Sequence, residues 1–316
     1  MNNNKLVNLM SLLINRVKSY VKLCLWGITH YSLIQLIRQT WQSKHGSEIN
    51  AIVFSKDRAM QLHALLSSFF DTKIGECRIV VIYAASTETH RNAYDEVAAI
   101  FHNRVKFVEQ GMFTSLKSCL VHTVSDLPNG KIFFLVDDIV FTEVVDYRFL
   151  ASVNLSDTIF SLRMGEHLDY SYVVASKQPL PVALKVQENY LTWNWREGSL
   201  DWGYPLSVDG HIFTTAEVLL WAKHLNYSSP SSFEGSLQRL RPVYICKRGM
   251  SFRKSRLVNI PANRVQSEVA NFHGEVHQDD LLMQWNAGLA IDQSKFIGWS
   301  NCSVHQEADF KFIRRG

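Results

Sequence analysis

The chain has 316 residues, 47% hydrophobic and 20% charged, enough apolar material for a sizeable core and too little charge for a disordered chain. The formal charge of +4 is uneven: no acid precedes Glu48, while Lys5, Arg16, Lys18, Lys22, Arg38 and Lys44 all lie in that stretch. Beyond it the charges are mixed rather than gathered into a basic stripe, which argues against a nucleic-acid partner.

In chain order, residues 1–47 read first as a basic amphipathic helical segment. Asn8, Ser11, Asn15, Lys18 and Lys22 share one helical face, opposite Leu6, Leu9, Leu13, Val17 and Val21. No apolar run there approaches the ~20 residues that span a bilayer, so two readings stay open: a helix on an anionic membrane surface through residues 1–45, or one packed on protein. The cysteines (Cys24, Cys77, Cys119, Cys246, Cys302) form no Cys-x-x-Cys pair. That spacing supports neither a zinc site nor a disulfide scaffold and suits a reducing compartment, the cytoplasm or the cytoplasmic face of its membrane.

From residue 50 strands and helices alternate. The run 51–54 predicts a strand, followed by the polar loop Ser55 to Arg58 and a helix carrying Met60, Leu62, Leu65, Leu66 and Phe69. Residues 78–83 (RIVVIY) predict a second strand, Ser86 or Thr87 a helix cap, residues 105–108 a third strand, and Thr114 or Ser115 the next cap. Asn129 and Gly130 turn the chain into a fourth strand, 131–136 (KIFFLV), which runs into Asp137 and Asp138. Beyond residue 146 the alternation ends in a region rich in tryptophan, tyrosine and isolated acids. There Thr214 or Thr215 predicts one helix cap, and Ser231 or Ser232 another with Glu234 in the first turn.

This pattern predicts an α/β fold, a mostly parallel Rossmann-like sheet with helices on both faces. In such sheets ligands bind beyond the carboxyl ends of the strands, where Ser55, Asp57, Arg58, Asp137 and Asp138 fall. Neither the dinucleotide fingerprint nor the Walker sequence is present.

The segments FSKDRAMQLHALLSSF (54–69) and IFFLVDDIVF (132–141) resemble the opening unit and the acidic strand end of GT-A glycosyltransferases. LDWGYPLSVDGHIF, SSFEGSL and VNIPANRVQ look like later segments of bacterial members, so the resemblance spans roughly residues 50–300. It implies a catalytic domain over 48–316, with a nucleotide-sugar half (48–145) and an acceptor half (146–316). It also implies a nucleoside-diphosphate sugar as donor, a saccharide or lipid-linked saccharide as acceptor, and a divalent metal (Mn²⁺ or Mg²⁺) at Asp138 assisted by Asp137. The usual Asp-x-Asp is incomplete, since Val136 stands at its first position. The loop residues Ser55, Asp57 and Arg58 are expected at the nucleotide. Arg264 is expected either at the diphosphate or in a loop ion pair.

An inverting transfer needs a base, for which Asp201, Asp209, Glu234 and Asp279 are candidates, with Asp209 first and Glu234 second. Most of the tryptophans read as core and one or two as a pocket wall, with Trp202 the favoured wall for a sugar ring and Asp201 a substrate contact. One of His273, His277 and His305 is a candidate to complete a metal shell. Two other functions compete: a sugar-nucleotide nucleotidyltransferase, whose glycine-rich basic loop is missing after the first strand, and a non-catalytic binding protein of the same fold.

Overall fold

The computed structural model describes residues 30–261 and 278–315. The helix expected over residues 6–22 lies outside them, as do Arg264, His273 and His277. Among the described residues no helix is long and apolar enough to cross a membrane.

The first half alternates as its sequence predicts. Helix α1 (Tyr31–Gln42) is followed by β1 (Glu48–Lys56), α2 (Ala59–Thr72), β2 (Arg78–Ala84), α3 (Glu88–Ile100), β3 (Val105–Glu109), α4 (Leu116–Asp126) and β4 (Gly130–Val136). Thr87 caps α3 by accepting from the His90 amide, and Ser115 closes a capping box with Ser118 on α4. Strand β1 pairs in parallel with β2 on one side and β4 on the other, and β3 lies beyond β2.

Because successive strand side chains point to opposite faces, β1 sends Ala51 and Val53 into one hydrophobic layer and Ile52 and Phe54 into the other. Strand β4 divides likewise, Phe133 and Leu135 against Ile132 and Phe134. Helices α2 and α3 cover the first layer, while α1 and α4 cover the second. Burial on both faces explains why these strands read as unbroken apolar runs.

The second half extends the same sheet with short, widely separated strands. Strand β5 (Ile139–Phe141) follows the acidic pair, and helix α5 (Tyr147–Ser152) leads to β6 (Thr158–Ser161). Next come β7 (Lys185–Val186), β8 (Tyr190–Asn194), β9 (His211–Thr214), helices α6 (Thr215–His224) and α7 (Pro230–Leu237), β10 (Arg248–Phe252), β11 (Leu257–Asn259) and α8 (Gln278–Asn286). The nine-stranded order is β7-β8-β10-β6-β9-β4-β1-β2-β3. Strands β8 and β9 run antiparallel to both of their neighbours and the rest run one way, so the sheet is mostly parallel. Strands β5 and β11 pair outside it.

One expected boundary moves. Helix α7 is capped by Ser229, not by Ser231 or Ser232, because Pro230 occupies the first helical position, where a missing N–H costs nothing. Glu234 therefore sits in the second turn and is free of a capping role.

The described part of the N-terminal segment packs on the body. Helix α1 buries Leu33 and Ile37 and brings the Trp41 indole N–H to the fully buried Glu217 of α6. Glu217 also accepts from the Tyr244 hydroxyl at 2.8 Å, lies 3.7 Å from the Lys247 ammonium, and closes the capping box with Thr214. That ammonium stands 4.1 Å from the centre of the Trp41 ring. A carboxylate this deep is stable only while its donors are present. Trp41→Phe keeps the ring but leaves the carboxylate short of a donor, an expected loss of about 1–3 kcal/mol, read as a lower urea midpoint at unchanged m-value.

Candidate active site

Parallel pairing places the ends of β1, β2 and β4 on one edge of the sheet: Lys56 faces Ala84 and Phe54 faces Val136. The antiparallel β9 starts at that edge where β6 finishes, with His211 opposite Ser161. Arg163, two residues past β6, and Asp209, two residues before β9, therefore meet beside the acids that follow β4. A short 3-10 turn over Leu200–Gly203 adds Asp201.

Two arginines organise this edge. Arg58 directs one guanidinium nitrogen to both Asp137 (3.0 Å) and Asp138 (3.2 Å). The second oxygen of Asp137 accepts from the Lys56 amide at 3.1 Å, and the other oxygen of Asp138 from the Asn259 side chain at 2.9 Å. Asn259 reaches Asp138 because β11 pairs with β5, opposite Ile139. Arg163, with its side chain 6% exposed, donates to Asp209 (3.2 Å), Ser207 (2.7 Å) and Asp201 (3.3 Å). The second carboxylate oxygen of Asp201 is buried and has no hydrogen-bond partner among the described residues. His305 brings Nε2 to 3.7 Å from Asp209.

Acids outnumber cations here, and burial penalises their charge. Burial pushes the Asp138 carboxyl up to about 7, against the pull of Arg58 and with added repulsion from Asp137 and Asp209. Burial likewise pushes Asp209 up to about 7, against Arg163 and with repulsion from Glu234 and Asp201. Glu234 is raised by the same cause. His305 is driven down to about 3 by burial and then by the Arg163 charge, so it is neutral. Proton-holding carboxyls beside fixed cations at the ligand edge of a sheet are a common signature of functional sites.

The structure gathers Arg58, Asp137, Asp138, Asp201, Asp209 and Glu234 at this edge but assigns other work to several expected contacts. Asp57, with a left-handed φ of 55°, accepts from the Ser86 amide (2.7 Å) and hydroxyl (2.6 Å); its buried carboxylate closes the loop rather than facing a nucleotide. The Ser55 hydroxyl is bonded to the Tyr94 hydroxyl at 2.6 Å, and Tyr94 also accepts from the Arg58 amide, so Ser55 fixes the loop that aims Arg58. Glu234 accepts from the Val208 amide at 3.3 Å and shapes the loop before Asp209.

Trp202 is a correction. It is fully buried, packed at 5.0 Å edge-on to Trp193, and its indole donates to the Leu168 carbonyl; it is a core residue and presents no face to a sugar. Asp279 stands apart on α8, 3.6 Å from His90. Arg163 and Asn259 were not singled out by sequence. The one available signal for Arg163 was a lone cation directly after a short apolar run, 158–162 (TIFSL).

A wide cleft of about 1070 Å³ lies elsewhere, toward the amino ends of β6 and β10, lined by Asp157, Arg248, Thr192 and Asn194 among others. Its acid is already paired with Arg248, and no reacting pair faces it. Chemistry therefore favours the edge bearing Asp138 and Asp209, whose side chains are 13% and 12% exposed.

No protein-family model matches the chain. In an alignment 189 positions long that covers 54% of the chain, it is 26% identical to the bifunctional glycosyltransferase pgtA of Dictyostelium discoideum. The chain is similar to a glycosyltransferase. It spans about a quarter (24%) of that relative's length. Among solved structures, S. aureus TarS 1-349 in complex with UDP-GlcNAc aligns at 13% identity and a TM-score of 0.44, over 70% of this chain and 60% of that one. The mannosyltransferase PcManGT of Pyrobaculum calidifontis, in complex with GDP-Man and Mn²⁺, aligns at 14% and 0.31, over 46% and 47%. At these scores the likeness carries no argument about chemistry.

Proposed function

We propose that this chain is a glycosyltransferase that moves a sugar from a nucleoside-diphosphate donor to a saccharide or lipid-linked saccharide hydroxyl. The observation that carries the proposal is the convergence of Asp138, clamped by Arg58, and Asp209, clamped by Arg163, at the ligand edge of the sheet. The similarity to a glycosyltransferase supports it.

In this proposal Asp209 is the base. The acceptor oxygen attacks the anomeric carbon, its proton passes to the Asp209 carboxylate, and the bond to the diphosphate breaks with its electron pair leaving on the phosphate oxygen. A carboxyl near pKa 7 suits the role, since it is substantially ionised at neutral pH yet basic enough to hold the proton. Arg163 orients it, and the unpartnered oxygen of Asp201 accepts a sugar hydroxyl. Arg58 faces the donor diphosphate.

Asp138 fits a divalent cation, because a cation relieves the same repulsion that now raises its pKa. Asp137, held by Arg58 and the Lys56 amide as Asp138 is held by Arg58 and Asn259, assists it. Among the described residues no group of three or more His, Cys, Asp or Glu is arranged to hold a metal. A cation carried in with phosphates needs only one or two carboxylates. When bound it would stabilise the negative charge that develops on the leaving diphosphate.

A melting-temperature screen of UDP-, GDP- and dTDP-sugars, with and without Mn²⁺, tests the proposal. A cognate donor at 100 times its Kd adds about 2.7 kcal/mol of stability. A screen in which no sugar nucleotide shifts melting or is hydrolysed in either condition refutes the assignment.

A further inference from the structure

Arg163 follows the carboxyl end of β6; toward the amino end of that strand lies the cleft of about 1070 Å³, whose floor is the open face of β7, β8 and β10. Register decides which side chains face it. Lys185 lies opposite Thr192 and Thr192 opposite Met250, while Asn194 lies opposite Arg248. The Gln187 amide donates to the Tyr190 carbonyl at 2.8 Å, which sets Gln187 beside Tyr190. Because alternate residues of a strand share a face, these side chains project to one side of the sheet, and all of them line the cleft.

The wall is the last turn of α5 with the loop 153–157, and that loop is pinned. Its Leu155 carbonyl accepts from the buried Lys247 ammonium at 2.7 Å, its Asp157 carbonyl from the Arg248 amide at 2.7 Å, and its Asn154 side chain from the Ser156 amide at 2.9 Å. The floor, by contrast, holds polar groups in reserve: among the described residues the side chains of Lys185, Gln187 and Thr192 have no hydrogen-bond or ion-pair partner. Lys185 is therefore the one cation of the cleft without an acid, since Arg248 holds Asp157 and Lys247 stands 3.7 Å from Glu217. Tyr190 adds a flat ring, 6.5 Å from that of Phe149 and inclined to it by 29°.

We infer that this cleft is a non-catalytic binding site for an oligosaccharide, with a preference for chains that carry an acidic group. Sugar hydroxyls both donate and accept, and the Thr192 hydroxyl and the Gln187 and Asn194 amides offer both functions. Tyr190 offers an apolar ring face with a hydroxyl at its tip, and Lys185 supplies the charge that an acidic group would meet. The volume exceeds the ~300–1,000 Å³ of sites for single small ligands, so several sugar rings fit. A nucleic acid fits less well, because its phosphates call for several unpaired cations and the floor has Lys185. A protein partner also fits less well, because interface centres are depleted in Lys, and Lys185 and Thr192 stand mid-floor. The inference stands independently of the transferase assignment, since binding here is read without donor or turnover.

The cleft carries its own reporter. Cys246 lines it and is exposed, while Cys302, also exposed, does not line it. The full chain is applied to a printed array of neutral, amino and acidic oligosaccharides, and a retained oligosaccharide is then added in solution during iodoacetamide labelling, with modification of each cysteine read by peptide mass. The saccharide should slow labelling of Cys246 and leave that of Cys302 unchanged. Thr192→Val with Gln187→Ala should weaken its binding by about tenfold, as expected for the loss of two hydrogen bonds. Lys185→Ala should cut the preference for acidic over neutral chains by about threefold, the scale of an exposed ion pair. All three positions are at least partly exposed, so unchanged melting verifies that the variants fold. An array that retains no oligosaccharide overturns the inference. Retention that leaves Cys246 unprotected, or that the floor variants do not weaken, places the saccharide elsewhere and also overturns it. So does Cys246 protection that appears without saccharide as protein concentration rises, which assigns the cleft to a second copy.

Discussion

Asp209→Asn lowers glycosyl transfer by about 10³-fold, within the 10²–10⁴ range for loss of a general base, while donor affinity stays within a factor of about two, as expected when only a transition-state contact is lost. Asparagine keeps an oxygen for Arg163, so the geometry survives and the lost element is the proton acceptor. Nucleotide release in the presence of acceptor measures the first quantity, and donor titration the second. The wild-type rate should rise with pH through about 7 as Asp209 ionises, and the variant should lose that limb. Glu234→Gln is the control: Glu234 supports the loop through the Val208 amide, so its effect should be smaller, and the pH limb should persist with its midpoint moved to lower pH, because repulsion from Glu234 helps to raise Asp209.

The same variant makes a stability prediction with a definite sign. The folded pKa of Asp209, about 7, lies above the ordinary value of 3.8. Between those values the native chain holds a proton that the unfolded chain has released, so this group's contribution falls as pH rises from about 4 to about 7. Asparagine carries no such penalty. Asp209→Asn should therefore melt higher than the wild type at pH 8, with the difference shrinking toward pH 4. A lower melting point at pH 8 would show that the carboxylate holds the site together rather than straining it. Stability given up for reactivity is a common property of catalytic positions.

How far sequence foresaw this arrangement depends on chain distance. The units β1-α2, β2-α3, β3-α4 and β4 are local crossovers, and each strand is buried on both faces, so apolar runs, caps and the terminal Asp137 and Asp138 were readable. Strands β6 and β10 are four and five residues long and pair with each other across more than eighty positions. No short-range period marks such a pairing, and so Arg163 at the end of β6 stayed hidden. Asp209 was legible because a carboxylate before a glycine at a strand entry is locally conspicuous; its partner was not.

The tryptophans are core for the most part, as expected, and Trp202 alone misled, for a related reason. A cluster such as Trp193, Trp195 and Trp202 looks the same in sequence whether it lines a pocket or fills a core. Here Gly249 is what separates the two, since a Cβ on it would lie 2.2 Å from the Trp193 ring. The indole is thus packed against bare backbone of the neighbouring strand, a relation visible only once β8 and β10 are paired. Asp57 shows the same limit on a smaller scale: its partner Ser86 lies 29 residues away, beyond β2.

Arg163→Met should lower stability by about 3–5 kcal/mol at pH 8, the usual cost of stranding a buried charge. The guanidinium serves Asp209 and Asp201 directly and lowers the charge cost of Glu234. Methionine fills similar volume without replacing any of these contacts. The pH dependence distinguishes this account from a simple packing defect. Removing the cation raises the native pKa of Asp209 and Glu234 further, and it also lifts the depression it imposes on His305 and His211. Each of these shifts lets the native variant bind protons more readily than the native wild type. The variant's deficit must then shrink as pH falls from 8 toward 5, because protonation neutralises the stranded acids. Urea midpoints for wild type and variant at both pH values measure it; a deficit that is constant or grows on acidification would mean that Arg163 acts through shape rather than charge.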